Sequence, residues 1–354
     1  MPGYVHLDRE RELRSLTGGV LYDHRLALRL RTEGFEVECF DLDTLPRHAK
    51  LLKFPVTSRL RKIAGSFDVL LTDLGNSALT MGFQERASRE GRLTVLICHH
   101  FRSGLEPSLL RRLMYRYSER KVVACAGILI ANSPHTVGFL ESMGRNREDI
   151  VLAPPGLSVT PVLEPVFRES PSRILSVCSI EPRKGVLEMV RALHGSGIPA
   201  ATLTIAGDPR RGSVYSAEVE RLISELGMGS RVFIAGRLSR EDLMEEYSKA
   251  DAFMLLSNWE GYGMAIAEAM ASGLPVITTR AGAIPWLVQD GRNGILVEPG
   301  DWRAAAEGVR RMLTDGGLRM RLASEALKSA ASFPSWDGTT GRSVEAISKK
   351  LTSG

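Results

Sequence analysis

The chain has 354 residues, of which 44% are hydrophobic and 25% charged, with a net charge of +5. That length allows two domains with separate cores, and that balance excludes a disordered or low-complexity protein. The mild positive charge permits attraction to anionic partners without naming one.

Residues 1–14 are rich in charge and carry no apolar signal core. No uninterrupted apolar run approaches the ~20 residues of a membrane span. The expected location is therefore the cytoplasm, or the inner face of the cell membrane as a peripheral protein. The four cysteines, Cys39, Cys98, Cys125 and Cys178, lie far apart with no C-x-x-C pair. They read as reduced core residues, not as a zinc or redox set.

Short apolar runs alternate with helical stretches along the whole chain, the texture of parallel sheets covered by helices. Before Thr17-Gly18-Gly19 only residues 4–7 are apolar, so the first strand is short or its start is clipped. A helix is expected over 21–33, and strands over 37–40, 69–72, 95–98 and 128–131, with a further helix over 109–123. Prolines and glycine then gather between 149 and 172, predicting a stiff crossing segment between domains. The alternation restarts with strands at 174–178, 201–206, 231–235, 252–256, 275–278 and 294–297. Helices are expected at 186–193, 217–226, 240–250 and 264–271, and a last one over 344–351. No internal repeat stands out beyond this shared texture.

The most informative stretch runs from Leu255 through Glu260-Gly261-Tyr262-Gly263-Met264 to Glu268 and on to Ile277. A buried strand ends at Ser257, a tight loop with two glycines follows, and a helix begins near Gly263 or Met264. Ligands of parallel sheets bind outside the carboxyl ends of the strands, where this loop lies. Free N–H groups at a helix start suit a phosphate. Helical side chains lean toward the N-terminus, so Glu268 can face the same side as Glu260. Both carboxylates suit the vicinal hydroxyls of a sugar or a ribose. A second candidate follows the strand at 174–178, where adjacent Arg183 and Lys184 suit a diphosphate whose leaving-group charge needs neutralising.

Glu260 to Val276 resembles the signature of glycosyltransferase family 4, E-G-[FY]-G-[LM]-x-x-x-E-A-M-A-x-G-x-P-V, at every fixed position. Val177 to Gly185 resembles the same family's V-G-[RS]-x-x-x-[RK]-K-[GN] element, with Cys178 where glycine is usual. The resemblance implies an α/β protein of the GT-B type: two Rossmann-like domains with parallel sheets facing across a cleft, and a C-terminal helix crossing back to the first domain. The domains expected are 1–160 on the acceptor side, 161–334 for the nucleotide-sugar, and 335–354 for the returning helix. It further implies a retaining, metal-independent hexosyltransferase that takes a nucleoside-diphosphate sugar, GDP-mannose or a UDP-hexose, as substrate and needs no cofactor. The acceptor is expected to be a glycan or lipid-linked molecule in cell-envelope polysaccharide or glycolipid synthesis.

Carried over residue by residue, the resemblance gives Glu260 the donor sugar and Glu268 the ribose. Arg183, Lys184, Gly263 and Met264 receive the diphosphate. Thr17-Gly18-Gly19 resembles the family's N-terminal glycine loop, which also approaches the donor phosphates. His99 and His100 stand where the family places a histidine on the donor sugar, with His100 preferred. Arg237 and Leu238 border the nucleobase. Ala281 to Trp286 resembles a family loop that carries glutamate where Trp286 stands. Domain closure is expected to bring the glycines and histidines over the sugar and exclude water.

Asp41-Leu42-Asp43 resembles an aspartate pair that holds metal in another glycosyltransferase fold, but it precedes any nucleotide site and is set aside. No metal site is expected. Two basic stretches, 46–62 and 108–121, interleave arginine and lysine with leucine. In the second, Leu109, Leu110, Leu113 and Tyr117 are read as lying opposite Arg111, Arg112, Arg116 and Arg120. Such segments suit an anionic membrane surface. The competing readings are an inactive sugar-nucleotide-binding subunit, a nicotinamide dehydrogenase and a nucleic-acid binder. Both glutamates and the Arg-Lys pair argue against the first. No early G-x-G-x-x-G and no nucleic-acid module support the others.

Overall fold

A computed structural model describes residues 3–6, 18–39, 67–106, 108–209 and 212–352. The chain divides into two units, residues 1–156 with 334–354, and residues 157–333. Among the described residues each holds an open, parallel six-stranded sheet covered by helices, the Rossmann-like arrangement that the alternating sequence predicts.

In the first unit, strands β1 (Gly3–His6), β2 (Glu36–Cys39), β3 (Val69–Asp73), β4 (Leu93–Cys98), β5 (Ile128–Ala131) and β6 (Ile150–Leu152) lie in the order β2-β1-β3-β4-β5-β6. The central strands are buried along almost their whole length, as apolar runs covered on both faces must be, whereas edge strand β2 is only half-buried. Helices α1 (Gly18–Thr32), α2 (Ser77–Arg89), α3 (Leu109–Cys125) and α4 (Pro134–Ser142) connect them. Ser133 caps α4 through its hydroxyl, with Pro134 at the first helical position. One face of the sheet packs Leu96, Cys98, Leu129 and Ala131 against Val122, Val123 and Leu140. Each such buried aliphatic side chain contributes about 1.5–3 kcal/mol.

The second unit holds β7 (Arg173–Val177), β8 (Thr202–Ala206), β9 (Val232–Gly236), β10 (Ala252–Leu255), β11 (Val276–Thr279) and β12 (Gly294–Val297), in the order β12-β11-β10-β7-β8-β9. Its helices are α5 (Val186–Gly195), α6 (Val214–Glu225), α7 (Arg240–Lys249), α8 (Met264–Ala271), the single turn α9 (Ile284–Leu287), α10 (Trp302–Thr314) and α11 (Gly316–Ala330). Asp301 and Asp315 cap α10 and α11 by accepting N–H groups of Ala304 and Leu318 at 3.0 and 2.9 Å. A single core runs through this unit from Val159 to Ala330.

The last helix, α12 (Trp336–Thr352), belongs to the first unit and packs against α1. It begins eight residues before the expected start at Val344. Gly338, Thr339, Thr340 and Gly341 are weak helix formers, which hides the helix from a propensity reading. Burial of Trp336, Thr339, Thr340, Ser343, Val344 and Ile347 supplies what propensity lacks. Thr340 and Ser343 return their hydroxyls to carbonyls four residues back, and Thr339 donates to the Pro154 carbonyl at 2.6 Å.

Two other expectations need correction. The segment 149–172 is not all connection, because Ile150–Leu152 pairs with β5 as the sheet's edge. Three residues are too few to show a period. In α3 the arginines do not lie opposite the apolar side chains. The face opposite is the one that packs inward through Ser118, Glu119, Val122 and Val123, and the arginines flank the apolar stripe. Stretch 46–62 and Asp41-Leu42-Asp43 lie outside the described residues. Among the described residues no helix is long and apolar enough to cross a membrane.

Candidate active site

In the second sheet β8 and β9 lie on one side of β7 and β10, β11 and β12 on the other. The strand order therefore reverses between β7 and β10, and the region beyond their carboxyl ends is where such sheets bind ligands. The two loops leaving these strands are stitched together. Pro182–Lys184 forms one 3-10 turn, and Gly185 follows with φ +66°. A Cβ at Gly185 would collide with the Leu256 carbonyl, so only glycine lets the loops close up. The Asn258 N–H then donates to the Arg183 carbonyl at 2.7 Å.

That backbone contact puts Lys184 and Glu260 together. Lys184 Nζ donates to Glu260 Oε1 at 2.6 Å, and Ser257 Oγ donates to the same oxygen at 2.7 Å. Arg183 stands 4.0 Å from the other oxygen and 3.0 Å from Glu181, which also accepts from Ser179 Oγ at 2.6 Å. Burial alone would push the Glu260 carboxyl up. The charges of Lys184 and Arg183 and the hydrogen bonds of Lys184 and Ser257 outweigh it and hold it below the usual range. The result is a buried, ionised carboxylate beside two cations that share acidic partners. A diphosphate could draw those cations onto itself.

Helix α8 begins beside this group. Its N-cap is Gly263, at φ +101°, and no side chain caps it. Helices α6 and α7, in contrast, are capped by Ser213 and Ser239. The first N–H groups of α8 and the positive end of its dipole suit an anion. Met264 is half-buried at this start. The Glu260 carbonyl accepts from the Ala283 N–H at 2.9 Å, which lays the loop carrying Trp286 along the same edge. Trp286 itself is 63% exposed.

Glu268 lies one turn into α8 and, among the described residues, shares no hydrogen-bond partner with Glu260. Its carboxylate meets the Tyr247 hydroxyl of α7 at 3.4 Å. Burial pushes its pKa up to about 7, against the opposing effects of that hydroxyl and of Arg240. The two glutamates thus sit in different electrostatic settings, one ionised and one poised near neutrality. Ser257, Tyr247 and Arg240 were not singled out from the sequence, since no spacing ties them to their partners. Further out, Arg237 follows β9, exposed and paired with Asp208 at 2.8 Å, and Leu238 packs half-buried on the core.

In the first unit Gly18 and Gly19 are not a loop before a helix but the first turn of α1 itself. His99 follows β4, is buried, and pairs with Asp23 at 3.0 Å; His100 is half-buried. Among the described residues no three His, Cys, Asp or Glu side chains gather as metal ligands would.

Residues 164–329 match the family described as "Glycosyl transferases group 1". A D-inositol 3-phosphate glycosyltransferase of Xylanimonas cellulosilytica is 28% identical over 62% of this chain and 56% of its own length. The chain spans between half and two thirds of the length of these curated relatives. Among solved structures, sucrose-phosphate synthase from Thermosynechococcus elongatus aligns over 99% of both chains, with a TM-score of 0.82 and 19% identity. The Anabaena protein HepE, solved with UDP and glucose, aligns over 99% of this chain and 100% of its own, with a TM-score of 0.76 and 20% identity. These likenesses establish a shared two-domain fold.

Proposed function

We infer, from a chain whose residues 164–329 match the glycosyl transferases group 1 family, that this protein is a retaining glycosyltransferase working without a metal. It moves a hexose from GDP-mannose or a UDP-hexose to a glycan or lipid-linked acceptor of the cell envelope. The observation that carries the reading is the Lys184–Glu260 pair at 2.6 Å, spanning the two loops at the sheet's switch point. An ionised carboxylate there suits sugar hydroxyls, and the adjacent cations suit a diphosphate leaving group.

In this reading Arg183, Lys184 and the start of α8 at Gly263 and Met264 take the diphosphate. Glu260 takes the sugar and Glu268 the ribose, while Arg237 and Leu238 border the base. Neutralising the diphosphate with fixed cations and helix amides stabilises the charge that develops as the glycosidic bond breaks. The acceptor hydroxyl enters on the face the diphosphate leaves, and the departing phosphate takes its proton.

Thermal unfolding in the presence of UDP-, GDP- and ADP-sugars tests this. A donor at a hundred times its Kd adds about 2.7 kcal/mol of stability, a shift of several degrees. One nucleotide class should stand out and give a transferred product with the donor's anomeric configuration. Stabilisation by none of them counts against the reading.

The lipid side of the proposal rests on α3. Leu109, Leu110, Leu113, Met114 and Tyr117 are each at least 56% exposed on its outward face, flanked by Arg112, Arg116 and Arg120. An apolar stripe between cations suits an anionic lipid surface, at about 1 kcal/mol per nearby cation. A cytoplasmic protein resting on the inner membrane follows. Vesicles containing anionic lipid should carry the wild type in flotation. L110D/L113D should stay behind, and equal flotation of both would exclude this face.

A further inference from the structure

Asp23 of α1 is 2% exposed, and a carboxylate so far from water is costly unless a partner compensates it. Its partner is His99, whose Nε2 lies 3.0 Å from Asp23 Oδ1, with the two side chains 9% and 3% exposed. A carboxylate only accepts, so Nε2 carries the proton, and the pairing selects one tautomer of the neutral ring.

The surroundings hold the ring as well as the nitrogen. A Cβ at Gly19 would come 3.3 Å from His99 Cδ2, so the first turn of α1 lies against the imidazole. Asp23 stands one turn further on and leans back toward it. Tyr22 meets the ring edge-on, with centroids 5.2 Å apart. Asn132 Nδ2 donates to the His99 carbonyl at 2.9 Å, fixing the backbone. Asp73 ends the neighbouring strand β3. Burial, the largest cause, pushes its carboxyl up.

An apolar pair would fill this space at lower cost, yet the polar pair sits at the carboxyl ends of β3 and β4, where parallel sheets receive ligands. We propose that Asp23 is a positioning residue that fixes the ring of His99 for contact with a sugar hydroxyl. The role rests on the glycosyltransferase reading above.

The test combines ring NMR with kinetics on the full chain labelled with 15N-histidine. In the wild type His99 should show one Nε2-protonated tautomer, and D23N, whose amide can donate or accept, should show a mixture. D23N should lower kcat about 10- to 100-fold, the worth of a charge-assisted hydrogen bond realised in the transition state. Nucleotide affinity, set by Arg183 and Lys184, should stay within about threefold. On an H99Q background D23N should cost nothing further, because Asp23 acts through the ring. An unchanged tautomer in D23N, a near-normal kcat in D23N or H99Q, or additive losses in the double variant overturns the proposal. If the wild type transfers sugar from no donor, the glycosyltransferase reading fails, while the ring spectrum still decides whether Asp23 fixes His99.

Discussion

Glu260 and Glu268 shift in opposite directions from an ordinary glutamate, and the difference lies in their neighbours. Glu260 has Lys184 at 2.6 Å, so Lys184→Met leaves a buried carboxylate without its cation. Breaking such a pair costs about 3 kcal/mol, whereas replacing both partners is close to neutral. K184M should therefore unfold at lower urea concentration, K184M/E260Q should recover most of the loss, and neither should transfer sugar. Glu268 has the opposite sign. Its carboxyl titrates near 7 in the folded state against 4.5 for an ordinary glutamate, so the folded state holds the extra proton between those values. Stability contributed by the protonated form is complete below about 4.5 and is lost as pH rises through about 7. E268Q should remove that slope and exceed the wild type at pH 8 by up to about 3 kcal/mol in urea unfolding. Equal slopes would mean that Glu268 is better solvated than its contacts imply. Donor affinity should also weaken below pH 7 in the wild type, since a protonated Glu268 accepts poorly from ribose hydroxyls.

Helix α12 shows how an element can depend on its partner. Trp336, 9% exposed, meets Tyr22 with centroids 5.9 Å apart, and Arg25 lies 6.0 Å from its ring. W336A should cost about 3 kcal/mol. Hydrogen exchange should speed up in α1 and α12 while α8 and α10 keep their protection; uniform loss in both units would contradict that assignment. The same helix marks where sequence reading falls short. The capped helices of the second unit and its buried strands declare themselves through local chemistry, such as Ser239 before α7 or the apolar run of β10. Helix α12 and strand β6 exist because something distant covers or pairs with them. Residues 260–268 are legible because loop and helix are contiguous. Asp23 and His99 are 76 positions apart, and Tyr247 and Glu268 21 apart, so no spacing rule joins them.

At the scale of the molecule, both sheets reverse their strand order once, and in the second unit that reversal collects the loops after β7 and β10. The chemistry follows from topology: two cations from one loop, a carboxylate from the other, and an uncapped helix between them. The alternating texture of the sequence carries the fold class, while the strand order rests on pairings that only the structure shows. The central claim is that a nucleotide-sugar occupies this reversal point. Calorimetric titration of the preferred donor into the wild type and into K184M/E260Q, which is expected to keep the fold, tests it most directly. The account predicts saturable one-to-one binding to the wild type and at least about thirtyfold weaker binding to the double variant, the loss of two or more kcal/mol of charged contacts. Equal affinity in both proteins would contradict it.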